Sequence, residues 1–195
     1  MNNQNLQFEY MDLDDFEEML ADKPDNERWE LIGGRVVRLM VGARWEHSYI
    51  AGNLSAGLRD RLRAANRQCY VFQENFFLKE KKFKAAMLPD VLVRCGAMEP
   101  GATSVNDPTL LVEIVSPGSE ARDRIEKWNV YKKLASLQHY VIVSRDEPLV
   151  EIFDRVGISW PGSRRIEGLD AHVTLPALDV SVPMAEIYRD VFFAS

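Results

Sequence analysis

Leu110-Leu111-Val112-Glu113-Ile114-Val115 is an apolar run interrupted by one carboxylate. It is too short for a buried helix and suits a central strand covered on both faces. A carboxylate in such surroundings is costly unless it is paired or bound to a metal. Upstream, Leu88-Pro89-Asp90-Val91-Leu92-Val93 repeats the arrangement, with an acid inside a second apolar strand spanning Met87 to Arg94. Downstream, Ser116-Pro117-Gly118-Ser119 breaks the strand and Ser119 can cap a helix over 120–134, with Ile125, Trp128, Tyr131 and Leu134 as its apolar positions. Helical spacing places Asp123, Lys127 and Tyr131 on one side. From there Lys127 can reach back over the end of the strand that carries Glu113. Two carboxylates on neighbouring strands form an oxygen-lined site for Mg²⁺, which takes oxygen ligands at about 2.0–2.1 Å and keeps several waters. An ammonium beside them can position a water or steady phosphate charge. The trio points to metal-assisted hydrolysis of a phosphodiester.

The flanking sequence fits a mixed sheet with helices packed against it. Met11 to Leu20 reads as a short helix capped by Asp12 or Asp14. Glu30 to Met40 reads as a hairpin turning at Gly33-Gly34, where glycine supplies positive φ. Glu46 to Asn66 is the best long helix, with Ile50, Leu54, Leu58, Leu62 and Ala65 as its apolar stripe. Cys69 to Lys79 reads as one strand, and Lys79 to Lys84 as a turn or exposed edge. Gly96 to Pro108 is a loop. Strands follow over Gln138 to Ser144, Leu149 to Val156 and Val173 to Val182, and a closing helix over Met184 to Phe193. Residues 150–195 read as sheet extension or oligomer contact.

The 195 residues fit one domain, 1–195, with enough apolar content to build a core. No apolar run approaches the ~18 residues of a membrane span, and the polar Met1-Asn2-Asn3-Gln4-Asn5 lacks the pattern of a signal peptide. Cys69 and Cys95 read as reduced core thiols of a cytoplasmic protein. Net charge is −6, which argues against a nucleic-acid partner, but its distribution is uneven. Residues 1–30 hold ten acids and two bases, a net −8, so the remainder is net +2. Bases gather at Arg59 to Arg67, Lys79 to Lys84 and Arg122 to Lys133, which permits phosphate contacts; such clusters are more often solvated faces.

These motifs in this order resemble the PD-(D/E)xK nuclease superfamily, and more closely the Uma-two-like restriction-endonuclease family. The matching residues are the acidic first helix, Glu30-Leu31-Ile32-Gly33-Gly34, His47 opening the long helix, Pro89-Asp90, Glu113-Ile114-Val115-Ser116-Pro117, and Asp123, Lys127 and Tyr131 before the strand Tyr140-Val141-Ile142-Val143. The resemblance implies a restriction-endonuclease-like α/β fold, a mixed β-sheet flanked by helices with an N-terminal helix and hairpin. It implies an endonuclease acting on nucleic acid, most simply DNA, with Mg²⁺ or Mn²⁺ held by Asp90 and Glu113. It implies Asp90, Glu113 and Lys127 as catalytic residues, with Glu30 and His47 as further candidates. Two cuts need two sites, which fits a homodimer. The superfamily's usual lysine position, two residues after the acid, is Val115 here, so Lys127 on the following helix would take its role. The strand that usually ends in Asp ends here in Ser144.

Other chemistries fit less well. There is no Gly-x-Ser-x-Gly elbow and no Gly-rich loop ending in Gly-Lys-Ser/Thr. His47, His139 and His172 lack zinc-ligand spacing. Two rivals stand beside the nuclease: a catalytically inactive module of the same fold that binds nucleic acid or protein, and a structural oligomer in which Glu113 and Lys127 form only a buried ion pair.

Overall fold

The structure, a computed structural model, describes residues 9–40, 42, 44–115 and 122–193. Its elements run α1 (Leu13–Leu20), β1 (Glu27–Ile32), β2 (Arg35–Met40), α2 (Trp45–Ala64), β3 (Cys69–Gln73), β4 (Phe77–Glu80), β5 (Ala85–Met87), β6 (Val91–Cys95), β7 (Ser104–Val105) and β8 (Leu110–Val115). A π-helical segment, Arg122–Lys127, leads into α3 (Trp128–Tyr131). Then follow β9 (His139–Ser144), β10 (Leu149–Asp154), β11 (Ser163–Glu167), β12 (His172–Leu175), β13 (Val180–Pro183) and α4 (Met184–Ile187). The turn at 116–119, the Ser119 cap and the Asp123 side chain lie outside the described residues.

A six-stranded sheet, ordered β11-β10-β9-β8-β6-β3, forms the centre. All six residues of β8 are buried, as its apolar run predicts. β8 and β9 pair in parallel and the rest of this sheet is antiparallel. Parallel neighbours need a crossover, which the π segment and α3 provide. Alternation sorts the side chains of β8. Leu110, Val112 and Ile114 enter a core with α2, α4 and the β12-β13 hairpin. Leu111 and Val115 face the other way, into a core with α3. Glu113 shares their parity, so it projects toward α3. A smaller sheet, β2-β1-β5-β4-β7, packs on that side, and α1 covers it through Leu13 and Phe16. The Asp12 carboxylate caps α1 by accepting from the backbone N–H of Asp14 and Asp15. Gly33 and Gly34 turn the hairpin at φ of 61° and 88°.

Several expectations change. The predicted strand over 69–79 divides into β3 and β4, and the one over 87–94 into β5 and β6. Each pair lies in different sheets, so the four strands make one long hairpin bent at a corner. At the corner Glu74 takes φ of 57° and its N–H donates to the Asp90 carbonyl at 3.1 Å. Pro89 has no N–H to continue a ladder. Between the pairs Gln73↔Val91 and Leu78↔Met87, five steps on one strand face four on the other, as in a bulge. Ala65 ends the long helix as an exposed cap rather than extending its stripe. The helix over 120–134 is π-wound where it is first described, and Leu134 lies in the turn beyond α3. Val173 to Val182 is a hairpin, β12 and β13, broken by a 3₁₀ turn at Pro176–Leu178. β11 has alternating burial too weak to read in the sequence, and the closing helix stops at Ile187. No helix among the described residues is long and apolar enough to cross a membrane.

The cysteines also depart from expectation. Cys69 and Cys95 are direct cross-strand partners at the open end of the bent hairpin and form a disulfide, so they are not reduced thiols. Sequence spacing alone hides this, because only the β3-β6 register sets the two sulfurs opposite each other. The bond closes a separation of 26 residues, for which chain entropy gives about 3.5 kcal/mol. The purified protein should therefore resist thiol alkylation until reduced. Cys95→Ser should lower the melting temperature by about 5–10 °C, measured by calorimetry with and without reductant.

Candidate active site

The corner in the long hairpin places the first acid. Continuing the β6-β8 register one step past Val91↔Val112 sets Asp90 opposite Glu113. Directly opposed residues share a face, with Cβ atoms about 4.5–5.5 Å apart. Asp90 Oδ2 accepts from the Ile114 N–H at 2.7 Å, which ties it to β8. The second acid meets the helix. Lys127 Nζ lies 3.0 Å from both Glu113 oxygens, and Tyr131 Oη donates to Oε1 at 2.7 Å. Lys127 and Tyr131 are one helical turn apart, which lets them grip one carboxylate together. Glu30 enters from β1: its Oε1 accepts from the Leu88 N–H at 2.7 Å and lies 3.4 Å from Lys127 Nζ. His47, on the first turn of α2, brings Nε2 to 3.2 Å from Asp90 Oδ2. Glu30, Glu113, Lys127 and Asp90 are 0%, 2%, 2% and 6% exposed. All five residues line one cleft of about 830 Å³.

Every candidate read from the sequence thus arrives at one place. The ion pair between Glu113 and Lys127, first weighed as a bland alternative, is present. Arg28 gained no role in the sequence, Tyr131 read as core, and of Gln73 and Glu74, which alternate faces on one strand, one could reach the cleft. Arg28 stands two residues before Glu30 on β1, on the same face, and its guanidinium donates to the Leu88 carbonyl; strand periodicity was the available signal. Glu74 lines the cleft from the corner, with Oε1 3.7 Å from His47 Nδ1. Tyr131, read as core, holds Glu113 in place.

The charges perturb one another. Burial opposes ionisation of Asp90, but the His47 hydrogen bond and the His47, Lys127 and Arg28 charges outweigh it and hold the carboxyl below its ordinary range. Burial disfavours a charged His47, yet Asp90 and Glu74 raise its pKa on balance. Burial and the charges of Glu113 and Glu30 push the Tyr131 hydroxyl far up, so it stays a neutral donor.

The donor set fits a hard cation. Glu30 Oε2 is buried with no hydrogen-bond partner, and Asp90 Oδ1 accepts no hydrogen bond among the described residues. Both residues line the cleft, and these oxygens have lone pairs unused. Among the described residues no three His, Cys, Asp or Glu side chains form a protein-only cage. Mg²⁺ does not require one, since one or two carboxylates with waters suffice.

The chain is similar to several known proteins. A family model described as "Uma2: Putative restriction endonuclease" matches residues 13–184. Two proteins of Synechocystis are similar. "Uncharacterized protein sll1609" is 29% identical over 136 residues, covering 67% of this chain and 74% of that one. "Uncharacterized protein slr1290" is 25% identical over 174 residues, covering 86% of each. A crystal structure from Anabaena variabilis, titled a "putative nuclease", superposes with a TM-score of 0.71 at 18% identity, covering 91% of this chain and 97% of that one. At that identity the likeness establishes a shared α/β fold.

The histidines give a pH test. His47's pKa lies above 6.5, so its contribution to stability is fully present below that pH and is lost as pH rises through the raised value. Asp90's lowered pKa contributes above the ordinary carboxylate range and is lost as pH falls through the lowered value. His139 is the opposite case. Burial, with Arg164 nearby, lowers its pKa despite its hydrogen bond to Asp154, while its Nε2 accepts from the Ala177 N–H. In chelator, imidazole NMR should show His47 titrating above and His139 below 6.5. Asp90→Asn should bring the His47 titration down and leave that of His139 in place.

Proposed function

Since the chain belongs to the family described as "Uma2: Putative restriction endonuclease", we propose that it is a metal-dependent nuclease that hydrolyses phosphodiester bonds of DNA. The observation that carries this reading is the convergence of Asp90, Glu113 and Lys127 in one cleft. Asp90 and Glu113 would hold Mg²⁺ or Mn²⁺, with Glu30, whose Oε2 has no hydrogen-bond partner, as a further donor. When bound, the cation supplies Lewis-acid polarisation of the phosphate and acidifies a coordinated water. The chain's own groups do the rest. Lys127 donates to the attacking water or to a non-bridging phosphate oxygen, where negative charge grows as the bond forms. Glu30 steadies the Lys127 ammonium, and Tyr131 and the Ile114 N–H fix the two carboxylates. His47 fixes Asp90. Arg28 offsets part of the negative charge of three carboxylates, which lets them coexist out of water.

The bidentate grip of Lys127 on Glu113 favours one second reading: a module that keeps the fold and the ion pair but binds nucleic acid without cutting it. The two separate in a plasmid-cleavage assay. For the nuclease, wild-type protein cuts with Mg²⁺ or Mn²⁺ and stops in EDTA. Asp90→Asn lowers the rate by about 10³-fold or more, with a melting temperature within a few degrees of wild type. Binding without cleavage under every divalent cation, unchanged by EDTA, supports the module.

The lysine tests the same reading differently. Lys127→Met leaves Glu113 and Glu30 buried without their ammonium, a loss of about 3–5 kcal/mol. Its melting temperature should fall, and the Lys127→Met, Glu113→Leu double variant should recover much of that fall while remaining inactive. Thermal melts with and without Mg²⁺ check both points.

A further inference from the structure

Trp45 and Tyr49 stand half in water, 48% and 50% exposed, on the first turns of α2. They are one helical turn apart and their rings meet edge to face at 5.5 Å. Large aromatic rings left in solvent beside a cleft mark contact surfaces. The same turns send His47 and Ser48 into the active-site cleft, and Arg44 lines it from the helix cap. At about 100° per residue, Trp45 lies about 60° and Tyr49 about 100° from Ser48 around the helix, so the two rings flank the cleft-lining Arg44 and Ser48 without lining the cleft themselves. Met40, 68% exposed, lines the same mouth from the end of β2. Arg44 is exposed, and among the described residues its guanidinium makes no ion pair or side-chain hydrogen bond.

This combination selects a kind of ligand. An aromatic face takes a flat base and a free guanidinium takes the adjoining phosphate. A paired base offers only its edge in a groove, so an intact duplex cannot use such a surface. Asp25, Glu27 and Glu74 also line the cleft, so phosphate attraction is partly cancelled there and stacking must supply more of the affinity. We propose that Trp45 and Tyr49, with Arg44, form a stacking platform for an unpaired base next to the scissile phosphate, so that the substrate is single-stranded or locally opened DNA. The proposal rests on the nuclease reading of the cleft, and its test separates the two.

The full chain in EDTA, where it cannot cut, is titrated with a short oligo(dT) strand and with an oligo(dA)·oligo(dT) duplex of the same length. Tryptophan fluorescence and anisotropy are the readouts, with sedimentation velocity for self-association. Wild type should bind the single strand more tightly than the duplex and lose fluorescence on binding. Trp45→Leu should abolish most of that quenching and weaken single-strand binding about tenfold. Trp45→Phe should keep most of the affinity without the quenching, and Tyr49→Leu should weaken binding with the quenching intact. The proposal is overturned if Trp45→Leu and Tyr49→Leu, folded by circular dichroism, bind the single strand as wild type does. It is equally overturned if they change only self-association, since a second copy of the chain would then be the occupant. With Mn²⁺ added, quenching without any cleavage sinks the nuclease reading and leaves the platform. Cleavage of oligo(dT) with an unchanged KM in Trp45→Leu sinks the platform and leaves the nuclease.

Discussion

An ammonium held between carboxylates inside the protein is the interaction on which the site depends. Lys127 lies against both oxygens of Glu113 and close to Glu30, and all three side chains are almost fully buried. None of the three is tolerable there alone, since a lone buried ion bears the whole desolvation cost. Their mutual attraction therefore fixes where β1, β8 and the crossover helix sit relative to one another. The π-wound segment ends at Lys127. A π turn inserts a residue and re-aims the side chains that follow, and here Lys127 and Tyr131 both finish on Glu113.

A second constraint acts through the backbone. The long hairpin of β3 to β6 bends between two sheets at Glu74 and Asp90, where a left-handed residue and Pro89 interrupt the ladders together. A carboxylate at a strand break is held by both sheets without being a rung of either. Asp90 is secured by the Ile114 N–H on one side and by His47 on the other. The Cys69–Cys95 disulfide closes the opposite end of the same hairpin, so the ribbon carrying Asp90 is tied at both ends.

Charge balance explains why the cleft tolerates so many acids. Glu30, Asp90 and Glu113 are faced by Lys127 and Arg28, and a raised His47 pKa adds a further positive charge as pH falls. Free oxygens remain on Glu30 and Asp90. A site that is nearly neutral, with unused oxygen lone pairs, can take up a cation and an anion together, which a metal and a phosphodiester require.

The residues alone determined which charges would be buried. A lone Glu inside Leu110 to Val115, an Asp after Pro89 and a Lys at helical distance are each too costly to be incidental in apolar surroundings, and local periodicity fixes the strand that carries Glu113. The Gly33-Gly34 turn, the stripe from Ile50 to Leu62 and the alternation along β8 were legible for the same reason: each depends on neighbours within a few positions. Tertiary structure alone decided the breaks at Glu74 and Asp90, the cysteine pairing, the split of Val173 to Val182 into a hairpin, and the recruitment of Arg28. Those outcomes depend on strand register and on which sheet a strand joins. Both are set by contacts between residues far apart in the chain, and a local pattern carries no record of them.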